Sequence, residues 1–200
     1  MSPWFTGYIG TRAGFVHNAT QEYIPHAQVY AGGHLEFDNY AYIKADAGAG
    51  SAIQINTEFG KMFELDNNLS MKTSVGAEYF QSFPKKSYYE TVFDEKADIG
   101  PTWRPYNIKG YGNIEAVYTR KKFEIGLGLQ CGLNHSSKPE LKDGQLDENI
   151  GKPSGTDVTG KENTGYLAPI FNARVEVATN LHMQMKASTE YGTVGLLYTF

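Results

Sequence analysis

The residues of this chain best able to do chemistry are its charged ones, and they come in mixed sign at alternate positions. Arg12, Lys44, Lys72, Lys109, Arg174 and Lys186 stand in segments that also carry Glu36, Asp46, Glu58, Glu78, Glu115, Glu124 and Glu176. Gathered on one surface away from bulk water, such a set is expected to neutralise itself as an ion network, because a lone charge in a low-dielectric cavity is costly. Its plain role is a lattice that stiffens a wall; binding or transport of a solute is the other. His17, His26 and His135 could meet Asp46 or Glu190 as acid–base partners, yet no Gly-x-Ser-x-Gly elbow, His-Glu-x-x-His helix or phosphate loop accompanies them. "GAGSA" at 48–52 reads as a small-residue turn. Enzymatic chemistry is therefore not expected, and neither is a cofactor. The single cysteine, Cys131, excludes an internal disulfide framework and a multi-cysteine metal centre.

The elements that must position these charges are strands. In "FEIGLGLQCGLN" (123–134), Phe123, Ile125, Leu127, Leu129, Cys131 and Leu133 fall on one face, and Glu124, Gln130, Asn134 and three glycines on the other. That is period two over the length of one tilted bilayer crossing. The same split recurs in 26–37, 53–65, 69–79, 167–177 and 182–190, ends in "TVGLLYTF" and is less regular in 4–16, 40–48 and 108–118. Ten strands is the count; a miscounted weak pair leaves eight, and a truncated chain twelve. Tight turns at Asp38-Asn39, Asp66-Asn67-Asn68, Thr119 to Lys122 and Thr179-Asn180 alternate with longer links near 18–25, 81–105 and 135–165, while those near 48–51 and 190–192 are short. An up-and-down meander explains this alternation and a Greek-key sandwich does not. The fold expected is all-β: one closed antiparallel barrel over residues 1–200, with a mobile polar loop across 134–165.

Composition permits this. The 200 residues include 14 Tyr, 11 Phe and 22 Gly, a mix that favours strands and tight turns. A mean hydropathy of -0.44 looks soluble, but a membrane barrel needs apolar residues on only one face of each strand. The formal charge of -4 gives no footprint for nucleic acid. No apolar run approaches a membrane helix, and "MSPWFTGYIG" is not a signal peptide, so an exported chain would have had its signal removed.

Alternation alone fits a soluble barrel with its apolar face inside or a membrane barrel with that face on lipid. Three features favour lipid. Phe5, Phe37, Phe63, Tyr118, Phe123, Tyr198 and Phe200 all lie on the apolar face at the tight-turn end, as an interfacial girdle requires. The charged face carries Gly10, Gly14, Gly32, Gly126, Gly128 and Gly132, which clear room in a narrow lumen. Finally, Val194, Leu196, Tyr198 and Phe200 resemble the C-terminal β-signal of bacterial outer-membrane barrels. The resemblance implies outer-membrane localisation, recognition by the barrel-assembly machinery, pairing of last strand with first, and extracellular long loops. A plugged lumen and a non-enzymatic binding or envelope role are expected.

In the loop "FPKKSYYETVFDEKADIGPTWRPY" (83–106), Tyr88, Tyr89, Phe93 and Trp103 serve either as anchors for an extracellular ligand or as a lid over the mouth. Other readings stay open. "TEFGKMFELDNNLSMKTSVGAEY" (57–79) resembles hairpins of autotransporter translocators, which implies a passenger and two more strands. Omptin-type proteases are ten-stranded with acids and a histidine at the rim, although no local motif matches theirs. A soluble lipocalin-like carrier requires the opposite sidedness.

Overall fold

Alternating polar and apolar side chains satisfy a closed sheet with two chemically different surfaces, and the chain builds one. The computed structural model describes residues 3–17, 23–82, 106–138, 146–147, 152–153 and 160–200. Its strands are β1 (Trp4–His17), β2 (Tyr23–Glu36), β3 (Ala41–Gly50), β4 (Ala52–Asp66), β5 (Leu69–Ser82) and β6 (Tyr106–Arg120). They continue as β7 (Phe123–Lys138), β8 (Leu146–Asp147), β9 (Lys152–Pro153), β10 (Gly160–Ala178), β11 (Leu181–Ser188) and β12 (Tyr191–Thr199). Ten of them close a barrel in the order β1-β12-β11-β10-β7-β6-β5-β4-β3-β2, and β8 and β9 form a separate ribbon. Every barrel pairing is antiparallel, and all but β7 with β10 and the closing β1 with β12 join chain neighbours.

The closing ladder runs from Val16 opposite Tyr191 to Tyr8 opposite Thr199. It extends one residue further, because Gly7 N donates to the Phe200 carbonyl at 3.1 Å and Phe200 N donates to the Gly7 carbonyl at 3.0 Å. The Phe200 ring lies across Gly7, where a Cβ would approach it to 2.5 Å.

Sidedness is unambiguous. Leu127 is 61% exposed, Leu129 49% and Val175 38% on the outer wall, whereas Asp46, Glu58, Lys109 and Glu115 are buried inside. This reverses what a soluble carrier needs, so that alternative is overturned. Phe5, Phe63, Tyr118, Tyr198 and Phe200 are exposed on the outer wall at the tight-turn end, and Tyr118 and Phe123 bring ring centroids within 6.0 Å. Cys131 is exposed on the same wall.

The structure corrects two readings. The segments 4–16, 40–48 and 108–118 are regular strands whose alternation is blurred because Tyr8, Val16, Tyr42 and Val117 point inward and are buried. The polar stretch 134–165 is not all loop: β7 reaches Lys138 and pairs with β10 from Gly160, and the β8–β9 ribbon falls between them. A ladder that rises past the apolar band needs no greasy outer face, so polar residues there conceal a strand from a hydropathy pattern. Tyr40, Lys121 and Asn180 take positive φ (60°, 50° and 61°) in three of the tight turns. Asn tolerates this; a tyrosine or lysine does so at a cost.

Two outcomes follow for folding into lipid vesicles. Leu127→Arg, midway up the outer wall, is expected to lower stability by about 2–4 kcal/mol, read by denaturant titration. In the same assay Lys121→Gly, which relieves the left-handed residue, is expected to raise stability by about 0.5–1 kcal/mol.

Candidate functional site: a filled polar lumen

The inward face of each strand supplies the lumen, and strand register decides which charges meet. Lys44 stands directly opposite Glu58, Glu78 opposite Lys109, Lys72 opposite Glu115, and Arg174 opposite Glu124. Cross-strand pairs of opposite charge stabilise a sheet, and inside a barrel they also spare each group an unpaired burial. Every charged residue assigned to the lumen from the sequence sits at an inward register position, with Glu36 exposed at the open tight-turn end.

Across the lumen these pairs join into chains. Arg12 Nη1 contacts Asp46 Oδ1 at 3.3 Å, and its Nε donates to Gln28 Oε1 at 2.9 Å. Asn56 Nδ2 donates to the other Asp46 oxygen at 3.4 Å, while the Tyr111 hydroxyl donates to Asn56 Oδ1 at 2.9 Å. Lys72 Nζ lies 2.9 Å from Glu58 Oε1, which also accepts the Tyr42 hydroxyl. Asn172 Nδ2 donates to Glu115 Oε1 at 2.6 Å, and Gln184 Nε2 donates to the Tyr30 hydroxyl. Lys186 lines the remaining space. Glu176 is directly opposite His182 near the tight turns.

Inward tyrosines, which sequence reasoning left out of the charge network, organise this interior. Arg12 stacks over Tyr30 at 4.6 Å, Lys72 over Tyr42 at 5.2 Å and Lys44 over Tyr8 at 5.7 Å. Each ring lies against an inward glycine of a nearby strand. A Cβ would come within 2.6 Å of Tyr8 at Gly32, within 2.5 Å of Tyr42 at Gly60, and within 2.5 Å of Tyr111 at Gly76. Gly32 thus makes the room expected of it, and Gly60 and Gly76, on the same inward face, do likewise. The signal that could have found the tyrosines is their parity: they alternate with the lipid-facing residues of their own strands.

A cavity of about 80 Å³ lies beside Arg12, Glu58, Lys72, Glu115 and Lys186. Tyr8, Tyr30 and Leu197 pack together in the barrel, and Val16, Ala52 and Phe80 pack with Tyr191 toward the long-loop end.

His26 and His135 do not converge. His26 points inward against Phe80, centroids 5.6 Å apart, whereas His135 lies on the opposite parity with Nδ1 2.7 Å from Asn163 Oδ1. Asp46 is committed to Arg12, and Glu190 stands 4.0 Å from Lys109. The His17 side chain, Tyr88, Tyr89, Phe93 and Trp103 lie outside the described residues.

An apolar outer wall, a hydrogen-bonded cylinder without edges and a polar, ion-paired interior define a transmembrane β-barrel. No family model and no curated protein matches the chain. Among solved structures it is similar to Ail, the attachment invasion locus protein of Yersinia pestis, in complex with sucrose octasulfate, at 11% identity over 100% of both chains with a TM-score of 0.32. It is similar also to the outer membrane protease OmpT from Escherichia coli, at 10% identity over 100% of this chain and 99% of that one, TM-score 0.41. A third is the KdgM porin in complex with disordered oligogalacturonate, at 8% identity over 96% and 99% of the two chains, TM-score 0.37.

Removing one member of the Arg12–Asp46 pair strands the other. Asp46→Ala is expected to cost about 3–5 kcal/mol, and Arg12→Met/Asp46→Leu together to recover most of that loss. Denaturant titration of both variants beside the parent decides it; equal losses for the single and double variants would show that the pair is not the cause.

Proposed function

We propose that this protein is an integral barrel of a bacterial outer membrane, non-enzymatic and non-conducting, that presents its long-loop end outside the cell for binding or stabilises the envelope. The observation that carries the reading is the pairing of a greasy outer wall with a polar interior crowded by ion pairs. Lipid is the solvent for the first, and the second leaves little room for a solute. The segment Val194, Leu196, Tyr198 and Phe200 acts as the assembly signal. Its alternating side chains face outward, and its backbone closes the sheet against β1. The barrel-assembly machinery is the partner this implies, and the lumenal ion pairs serve rigidity rather than transport.

Purification from washed membranes is expected to require detergent, and the protein is expected to migrate differently on a gel before and after boiling. Recovery in the aqueous fraction without detergent, or identical migration, would refute the membrane reading. In planar bilayers the protein should show no steady open-channel current. Large sustained currents would overturn the sealed lumen while leaving the membrane location intact.

A further inference from the structure

The outer wall is not uniformly covered. On β6 the outward positions 110 and 112 are glycines, so the wall there lacks side chains, and a Cβ at Gly110 would meet nothing within 4 Å. Around Gly112 the gap widens into an apolar groove of about 560 Å³ over β4 to β7 and β10. Val75, Ile114, Leu129 and Leu167, all exposed, form its sides. Paired residues trace its course. One row runs from Lys61 through Thr73 to Ile114, and the next from Val75 through Gly112 to Leu167. Strands tilt in a barrel, so the groove climbs as it crosses them. Lys61 lies near the tight-turn end of β4 at Asp66, and Leu167 far up β10 from its end at Ala178.

A charge marks the lower end. Lys61 takes an outward position between Ala41 and Thr73, neither of which answers its charge. No ion pair among the described residues includes it. Its ammonium reaches over the Phe63 ring at 5.4 Å, toward the aromatic girdle. A lysine does this when its stem lies in hydrocarbon and its head seeks the interface. An ionisable group on a lipid-facing wall is unfavourable unless a partner receives it. A second copy of the chain offers none, since the outward strand positions among the described residues hold no Asp or Glu. A phosphodiester at headgroup level does. At the same end the turn between β6 and β7 adds the exposed cations Arg120, Lys121 and Lys122, whereas the turns at Asp38-Asn39 and Asp66-Asn67 are acidic. A comparable groove elsewhere on the wall, about 520 Å³ beside Ala13, Ala27, Val29 and Met183, has no outward charged side chain. Shape alone recurs; shape with a cation at its interfacial end is confined to the groove at Gly112.

We infer that this groove seats one acyl chain of an anionic phospholipid from the leaflet on the tight-turn side, with Lys61 holding the phosphate beside Phe63. The inference rests on the reading of the apolar wall as lipid-facing. In the test, the full chain in mild detergent is titrated with phosphatidylglycerol or phosphatidylcholine, and bound lipid is counted by native mass spectrometry. Retention of one phosphatidylglycerol per barrel, in preference to phosphatidylcholine, is expected. Lys61→Met should weaken phosphatidylglycerol about fivefold, the contribution of one lysine beside an anionic headgroup, and remove the preference. Gly112→Leu fills the groove and should abolish retention; a Cβ there meets only the Ser74 carbonyl at 3.8 Å and Cys131 Sγ at 4.0 Å, so the wall accepts it. Boiled and unboiled migration of each variant should match the parent, and Gly110→Leu replaces Gly112→Leu should the latter misfold. Equal retention of the two lipids by the parent, or unchanged affinity in folded variants, overturns the inference. So does a dimer that Gly112→Leu disperses, because the groove then belongs to a second copy. None of these outcomes alters the detergent requirement or the gel shift, so failure of this site is distinct from failure of the membrane reading.

Discussion

A backbone inside lipid has no water to satisfy its N–H and C=O groups, so every strand must find a partner on both sides. That requirement turns ten strands into a cylinder and leaves the two ends of the barrel sheet to pair with each other. The reciprocal bonds between Gly7 and Phe200 extend this seam beyond the β1–β12 ladder. Once the sheet is closed, strand alternation assigns each side chain to one of two solvents, lipid outside or the lumen inside. Closure therefore puts Leu127 and Glu115 on opposite surfaces, and the register decides that the apolar one faces out.

Closure at this girth creates a packing problem that the lumen must solve. Ten strands enclose little space, and long charged side chains compete for it. The answer here is an interlock of large and absent side chains: Tyr8, Tyr42 and Tyr111 lie where Gly32, Gly60 and Gly76 leave room. With the rings in place, cations find both a carboxylate and an aromatic face, as Lys72 does with Glu58 and Tyr42. Such contacts strengthen when water is excluded, so the small void and the ion pairs support each other.

Much of this was legible in the sequence. The run 123–134 announces its two faces because its outward positions are uniformly aliphatic or aromatic and its inward positions are polar or glycine. The girdle was legible for the same reason. The inward tyrosines were harder to assign, because a phenol is apolar enough for lipid and polar enough for a lumen; in Tyr8 and Tyr42 only the neighbours' parity separates the two. Contacts across the lumen were not legible at all. Tyr30 and Gln184 are 154 residues apart, and their meeting depends on strand number and register around the whole circumference. The upper parts of β7 and β10 were concealed by their polar composition, since they rise beyond the region in which lipid enforces a pattern.

Buried polarity is the cost that accompanies this arrangement. Apolar residues seal a lumen without hydrogen-bonding obligations, as Val16, Ala52 and Phe80 do. Residues 107, 109, 134 and 136 instead place buried polar atoms on two adjacent strands, at the level where β6 and β7 lead into the long connections. Unmatched polar atoms occur elsewhere in the lumen as well, at Arg12 Nη2, Gln54 Oε1 and Asn113 Oδ1. Each subtracts from a fold whose net stability is small, so the polarity is a property of the whole interior rather than of one end.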